Sequence, residues 1–521
     1  MKNDNIVGAM SLSPNFVLLA CHYTYKATAR VAATIILVIL FMPILVNADV
    51  HISGENNLTY TYSTEEESID HYLENELSMR VDYRVFSFGM TFLAGLPKHD
   101  SFDAIESLQP DQITTEWRDR FVQLNFDNFR LKAGTIEEAF GAGLALRAWN
   151  NKDLDRDMRL EGAQIHYRFN NFRIAGVYGA LRDDIEIDED FSEYNINQND
   201  LVIGLDVGFR PTPELSLGGS MVQYKQKHVD NIGRISYLDW NVFSGRLGYM
   251  HDMFDINAEF AELQRQMHDD STQYGTAFYT TRSVYFNTLF TLSGGYKRYE
   301  RYRFSLADLP TLNHYDELLM SYDNRIDFEE GMEAGFRFTP NFDNEFQFRY
   351  AESWNRNFSV RHHNFFAQYK RGFETFSLTF EYEHLERIKS HDHEWEKMLR
   401  PAVKVDLFSL ARPISIAFLW KYEEEEVMGI EESKHTPYLQ FETRLTDRLS
   451  IALFGEYEID DWDNIGKNKV YIGTEIVTSI SNHTEMILFM GQEKGGNVCR
   501  NGVCRPQQPF EGIRLTLSTR F

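Results

Sequence analysis

The chain has 521 residues and a formal charge of -26, a sign that excludes nucleic acid as a partner, because a phosphate backbone calls for a basic surface. Aromatic residues make up 14% and charged residues 25% of it, and its mean hydropathy is -0.41; that pairing excludes a bundle of membrane helices, each of which needs about twenty consecutive apolar residues. No linker, low-complexity tract or shift in composition follows the first fifty or so residues, so one architecture is expected to run to the end.

From the amino terminus, the one long apolar run is Val31 to Val46, with Lys26 and Arg30 before it and the small-residue cleavage pattern Val46-Asn47-Ala48 at its end. These are the parts of a secretory signal peptide. Residues 1–48 are therefore expected to be a signal with an over-long amino-terminal extension, and residues 49–521 the mature domain. A retained anchor helix is the alternative, but the run is short for a span. Leu18-Leu19-Ala20-Cys21 resembles the lipid-attachment box of bacterial lipoproteins, yet Cys21 precedes the better signal and cleavage after Ala48 would discard it.

Beyond the signal, apolar and polar residues alternate along almost the whole chain. Leu77 to Tyr83, Ile165 to Phe169, Glu345 to Tyr350, Phe376 to Tyr382, Val403 to Leu407 and Leu439 to Leu445 each read as a strand with one apolar side. Short connections, such as Asp127-Asn128, Asn170-Asn171, Pro211 to Glu214 and Thr446 to Arg448, take turns with long ones. The long ones include Leu96 to Thr115, Ile136 to Arg159, Asp183 to Asn199, Arg301 to Glu329, Glu424 to His435 and Lys494 to Pro509. An up-and-down antiparallel sheet with turns on one rim and loops on the other gives this rhythm. The fold class is therefore all-β: a single transmembrane β-barrel of about 24 strands (range 22 to 26), without a separate plug domain, both chain ends on the short-turn side. A propeller would show a blade repeat of about 40 residues, which the sequence lacks.

Residues opposite the apolar rows are expected to face the lumen, since Arg or Lys facing lipid near the midplane costs about 2–4 kcal/mol. These are Arg80, Asp82, His166, Arg168, Arg349, Glu381, Glu383, Lys404, Asp406, Glu442 and Arg444. Such an interior suits either a solute pathway or a salt-bridged wall. A barrel of about 24 strands left empty would be a large hole, so one or more long loops are expected to fold inward. Ile136 to Asn150 is the first candidate: Phe140, Leu144, Leu146 and Trp149 would pack on the wall beside Arg147, while Gly141 and Gly143 let the backbone approach closely. The alternative is an external loop.

No other segment carries a strong chemical signal. Gly141-Ala-Gly143 lacks the third glycine of a dinucleotide loop. The acidic runs Asp183 to Asp190 and Glu423 to Glu426 lack calcium-loop spacing and read as solvated outer loops. His391-Asp-His393-Glu394 is weak metal-ligand material, and His362 and His363 cannot share a face of one strand. No catalytic motif, cofactor or metal site is assigned, and the chain is expected not to be an enzyme.

At the carboxyl end, Cys499-Arg-Asn-Gly-Val-Cys504 places a turn between two cysteines, and export to an oxidising compartment makes a disulfide the expectation. The chain then closes on Ile513, Leu515, Leu517, Thr519 and Phe521, one face of a final alternating strand. This end resembles the terminal strand by which bacterial outer-membrane barrels are recognised for insertion. Further, Gly134-Thr-Ile-Glu-Glu-Ala-Phe140-Gly141-Ala-Gly143, Leu160-Glu-Gly162-Ala163, Gly176-Val-Tyr178-Gly179 and the closing hairpin resemble an uncharacterised family of bacterial outer-membrane barrels. That resemblance implies an outer-membrane location, with lipid and the barrel assembly machinery as partners, and carries no activity over.

Two functions remain open on this reading: a porin-like channel or transporter for an unknown small solute, or a plugged barrel that serves as a structural or docking component with an unidentified protein partner. If Ile513, Leu515, Leu517 and Phe521 form the insertion signal, deleting Phe521 should impair membrane assembly more than replacing both Cys499 and Cys504. Comparing the yield of folded barrel in membranes checks this, and the opposite order would refute it.

Overall fold

The first strand, Val50–Ser63, and the last, Phe510–Arg520, lie side by side, in register from Glu55 opposite Arg520 to Ser63 opposite Gly512. That ladder closes a computed structural model in which 24 antiparallel strands form one cylinder, the number the alternation predicts. The structure describes residues 50–521 except 65–70, 97–113, 152–155, 182–199, 230–234, 267–270, 287–288, 311–327, 357–359, 390–393, 409–411, 428–429, 460–467, 501–502 and 508. The expected signal peptide with Cys21, the acidic run 183–190, His391 and His393 lie outside the described residues.

Two faces with different chemistry follow from the period of two. One carries exposed apolar rows such as Ile203, Leu205 and Val207, or Phe243 and Leu247, which is what a hydrocarbon surround requires. Near the short-turn rim this face carries stacked rings: Phe172 on Phe209 at 4.5 Å, Phe286 on Phe290 at 4.4 Å, Phe346 on Tyr369 at 4.5 Å and Phe373 on Phe376 at 4.2 Å. Such a row forms an aromatic girdle. The other face is the inner wall and carries the polar side chains.

Connections follow the expected rhythm with one correction. Glu424 to His435 is not a long loop: Ile414–Val427 and Ile430–Thr446 keep pairing from Glu423 opposite Lys434 to Val427 opposite Ile430. The acidic run Glu423 to Glu426 is therefore strand rather than loop. Backbone hydrogen bonding continues past the apolar band, where charged side chains can stand on both faces of a ribbon in water. Asn355 and Val360 also stand close on the long-loop rim, with Asn355 N–H donating to Val360 O at 3.1 Å. Within the last long connection, Gly496–Arg500 pairs with Val503–Gln507 and sets Cys499 opposite Cys504 in the backbone register.

The closing seam is tight. Gly54 N–H donates to Phe521 O at 2.8 Å and Phe521 N–H to Gly54 O at 3.0 Å. A Cβ on Gly54 would lie 2.5 Å from the Phe521 ring and 2.5 Å from the Ser78 carbonyl oxygen, whereas one on Gly245 would meet nothing within 4 Å. Gly54→Leu is therefore expected to cut the yield of closed, heat-modifiable barrel severalfold while Gly245→Leu leaves it near wild type. Equal yields on denaturing gels of unboiled samples would show that the seam tolerates a side chain.

Candidate functional site

Strand Phe129–Ile136 ends at the long-loop rim, and the chain that follows turns back onto the inner wall. Glu138–Phe140 pairs with Leu146–Ala148, with Phe140 opposite Leu146. Between them Gly141 and Gly143 take φ values of 63° and 96°, a backbone region that a residue with a Cβ enters at a cost. Ile136, Phe140, Leu144, Ala145, Leu146 and Ala148 are wholly buried. They pack in one cluster with Val177, Val202, Val222, Tyr224, Val242 and Leu263, contributed by five strands of the wall. The strands leave room for the loop: a Cβ on Gly204 would lie 2.8 Å from the Phe140 ring. Burying each Phe or Leu contributes about 1.5–3 kcal/mol.

A second segment, residues 301–310, covers the first. Arg147 N–H donates to Leu306 O at 2.7 Å, and Asp308 N–H to Gly143 O at 3.1 Å. Tyr302 Oη donates to Leu144 O at 2.7 Å, and burial pushes its phenol well above the ordinary range, so it remains a donor. The Arg147 guanidinium pairs with Asp308 at 3.4 Å and lies 4.5 Å from the centre of the Trp149 ring. Phe304 fills the space beside Tyr224 and Trp240, at ring distances of 6.3 and 6.2 Å. In the sequence this segment is only the start of the long connection Arg301 to Glu329, not the first candidate to fold inward. Its signal was the alternation Tyr302, Phe304, Leu306, which continues the strand pattern beyond the strand.

The loop is also tied electrostatically to the wall. Ala142 N–H donates to Glu259 Oε2 at 2.6 Å, and a Cβ on Gly141 would lie 2.3 Å from that same oxygen. Arg246 pairs with Asp206, which also accepts from Ser220 Oγ at 2.6 Å. Glu138 meets His166 Nε2 at 2.5 Å and accepts from Gln164 Nε2 at 2.6 Å. Burial works to raise the carboxyl of Glu138, but those two neighbours and the Ala139 N–H hold it below its ordinary value.

Between the loop tip and the short-turn rim lies a cleft of about 760 Å³, lined by Gly141 and Ala142 on one side and by Arg168, Arg173, Arg210 and Arg246, with the two carboxylates Asp206 and Glu259, on the other. Arg168 and Arg173 stand directly opposite each other in the strand register, where like charges repel. Arg173 reaches Glu138 at 4.0 Å and Arg246 reaches Asp206. Among the described residues no ion pair involves Arg168 or Arg210. In a chain of charge -26 the cleft is a local concentration of positive charge, able to hold or pass an anion.

The remaining inner-wall charges do not converge on this cleft. Arg80 pairs with Asp82 at 2.9 Å and Lys404 with Asp406 at 3.5 Å. Glu383 is held by Arg400 at 3.1 Å and Asn364 at 3.0 Å. Glu381 accepts from Gln368 at 2.7 Å and Glu442 from Gln440 at 2.6 Å, while Arg444 donates to Asp447 O at 2.8 Å. Arg349 sits opposite Gly335 and Phe366 in the ladder. They are cross-strand and same-strand pairs distributed around the wall. Of the predicted lumen charges, only His166 and Arg168 reach the inward loop or its cleft.

If the buried Phe140 ring anchors the loop, Phe140→Ala costs about 3–5 kcal/mol of docking. Trypsin acting on the reconstituted barrel is then expected to cut after Arg147 at least tenfold faster than in wild type. An unchanged rate would mean that the ring does not hold the loop down.

With this geometry in view, comparisons with known proteins place the fold. The E. coli P pilus tip assembly intermediate PapC-PapD-PapK-PapG has a chain that superposes with a TM-score of 0.55 at 9% identity; the match covers 90% of this chain and 60% of that one. The P pilus usher PapC translocation pore gives 0.49 at 9% identity, over 90% of this chain and 99% of that one. The siderophore receptor PirA from Pseudomonas aeruginosa gives 0.48 at 8%, over 91% and 81%. At such identities the likeness is one of fold. No curated protein matches the chain in sequence. The profile of a family of unknown function, DUF6029, matches residues 31–324, more than half of the sequence, and the chain belongs to that family.

Proposed function

We propose that this protein is a porin-like channel or transporter in the bacterial outer membrane, passing a small solute, with its short turns and both chain ends on the periplasmic side. An apolar outer face around a polar inner wall supports the membrane location. Short turns on the rim that also carries Phe521 support the orientation, since barrels of this kind keep short turns on the periplasmic side. The alternating end, Ile513 to Phe521, is the segment that the barrel assembly machinery would read.

The observation that carries the transport reading is where the inward loop sits. Residues 136–148 and 301–310 pack on the sector of wall between Phe172–Leu181 and Phe290–Glu300. Around the rest of the wall, from Asn344–Trp354 to Lys469–Ser479, the inner face presents polar pairs such as Glu381 with Gln368 and Glu442 with Gln440, interrupted by an aromatic cluster that includes Tyr438 and Phe454. A loop that narrows one side of a polar cylinder and leaves a basic cleft beside its tip constricts a pathway and gives it a charge preference.

The test is current through the purified barrel in planar bilayers. Steady conductance is expected, rising when Glu137 to Ala148 is deleted in a barrel that still assembles. Arg168→Glu with Arg210→Glu should shift the reversal potential in a salt gradient towards cations. A silent barrel that co-purifies with a fixed protein partner would overturn transport in favour of a docking role, and a conductance unmoved by the deletion would remove the loop from the pathway.

A further inference from the structure

On the outer wall, at the long-loop ends of strands Val360–Gly372 and Phe376–Lys389, three side chains each bring one donor atom to within 4.8 Å of the others: His363, His384 and Glu386. The register explains the meeting. His363 stands directly opposite Glu386, and His384 lies two residues along the same face of the same strand. His362 points to the opposite face, so only one of the two consecutive histidines takes part.

His363 Nε2 is 2.8 Å from a Glu386 carboxylate oxygen, and the two imidazoles meet edge to face at 5.6 Å and 88°. The Nε2 of His384 is buried and has no hydrogen-bond partner. Burying a ring nitrogen unpaired costs free energy, and packing gives no reason for it here. Two imidazoles and one carboxylate are the donor set of open zinc sites. Imidazole donors favour a first-row transition cation over calcium or magnesium, which take oxygen ligands. Tetrahedral coordination needs donors about 3.3–3.5 Å apart, a distance that small rotations of these half-exposed side chains would reach.

The position is also apt. One row nearer the middle of the wall, Phe365 and Tyr382 pack at 6.2 Å on the outer face, and beyond them the same face carries Glu352, Glu386 and Lys397. The three partly buried side chains thus stand where the apolar band gives way to charge. Lys397 faces Glu386 from the next strand, and Arg361, held by Glu352, lies two residues from His363 on the same face; these are the rival cations.

We infer that His363, His384 and Glu386 form a binding site for a divalent transition cation of the zinc class on the outer rim of the barrel. The bound cation would join two adjacent strands and keep at least one coordination position for water or an external ligand. The inference does not depend on the transport reading, because the site lies on the other face of the wall.

The experiment uses the full mature barrel without a histidine tag, stripped with a chelator, in detergent, with Zn²⁺ alone as the probe in isothermal titration. One saturable site is expected. His363→Ala with His384→Ala should weaken it at least tenfold, Glu386→Gln, which preserves side-chain shape, should weaken it measurably, and Lys397→Met should leave it intact or tighten it. Zn²⁺ should raise the unfolding temperature of wild type and not that of the double histidine variant, while heat-modifiable migration without metal shows that each variant folds. Absence of a saturable site, unchanged affinity in the double variant, or loss of binding only on His391→Ala with His393→Ala would each overturn the assignment.

Discussion

Everything in this fold answers to the need to pair every backbone N–H and C=O where no water is available. In hydrocarbon each unpaired group costs several kcal/mol, so a sheet there has to close on itself. Closure is achieved by the ladder between Val50–Ser63 and Phe510–Arg520, and from it follow the even number of strands and the placing of both chain ends on one rim. The alternation of side chains is the same constraint seen from the other direction: once the backbone is committed to the sheet, residue type alone decides which side meets lipid.

The inner wall has a different problem, because a cylinder of this girth encloses more space than wall side chains can fill. The chain addresses it with loops. Phe140, Leu144 and Leu146 give the inside of the barrel a local hydrophobic core of the kind a soluble protein has, larger than the small aromatic cluster of Phe454, Phe489 and Phe510 near the closing strands. Glycines are what make this compatible with the wall. Gly204 leaves the space that Phe140 occupies, and Gly141 lets the loop backbone reach the Glu259 carboxylate. Polar contacts then fix the direction of the loop: Glu138 meets His166 and Gln164, and the Ala142 N–H meets Glu259.

Much of this was legible in the sequence. Strand count, turn positions and the apolar face follow from a period of two, which is a local property. The candidacy of Ile136 to Asn150 came from apolar residues beside glycines in a connection too long to be a turn. What escaped reading were contacts between distant parts of the chain. Residues 301–310 cover the loop through Tyr302 and Leu306, more than 150 residues away from Leu144, and nothing near them in sequence announces a partner. The arginine cleft escaped in part for the same reason: Arg168 and Arg173 meet across one tight hairpin, but Arg210, just past Leu201–Phe209, and Arg246 on Ile235–His251 join them only through the pairing of successive hairpins. Glu423 to Glu426 misled because a run of like charge suggests solvated loop, whereas cross-strand Lys434 and continued backbone pairing carry it as strand. His363 and Glu386 show the converse. His363 stood out only beside His362, with which it cannot share a face, and a register of antiparallel strands brought it to Glu386 instead.

The pairing that closes the barrel joins residues as far apart as Thr59 and Thr516, whose hydroxyl oxygens lie 3.3 Å from each other across 457 positions. Every other ladder of the cylinder links neighbours in sequence or nearly so, and can form as soon as two strands exist. The seam cannot. Until Phe510–Arg520 arrives, Val50–Ser63 presents an open edge, a template for any other extended chain it meets. The exposure therefore lasts until the two ends of the chain meet, whatever the order in which the other ladders form. Keeping the first strand from pairing wrongly during that interval is a task the folded cylinder, having no edges, no longer displays.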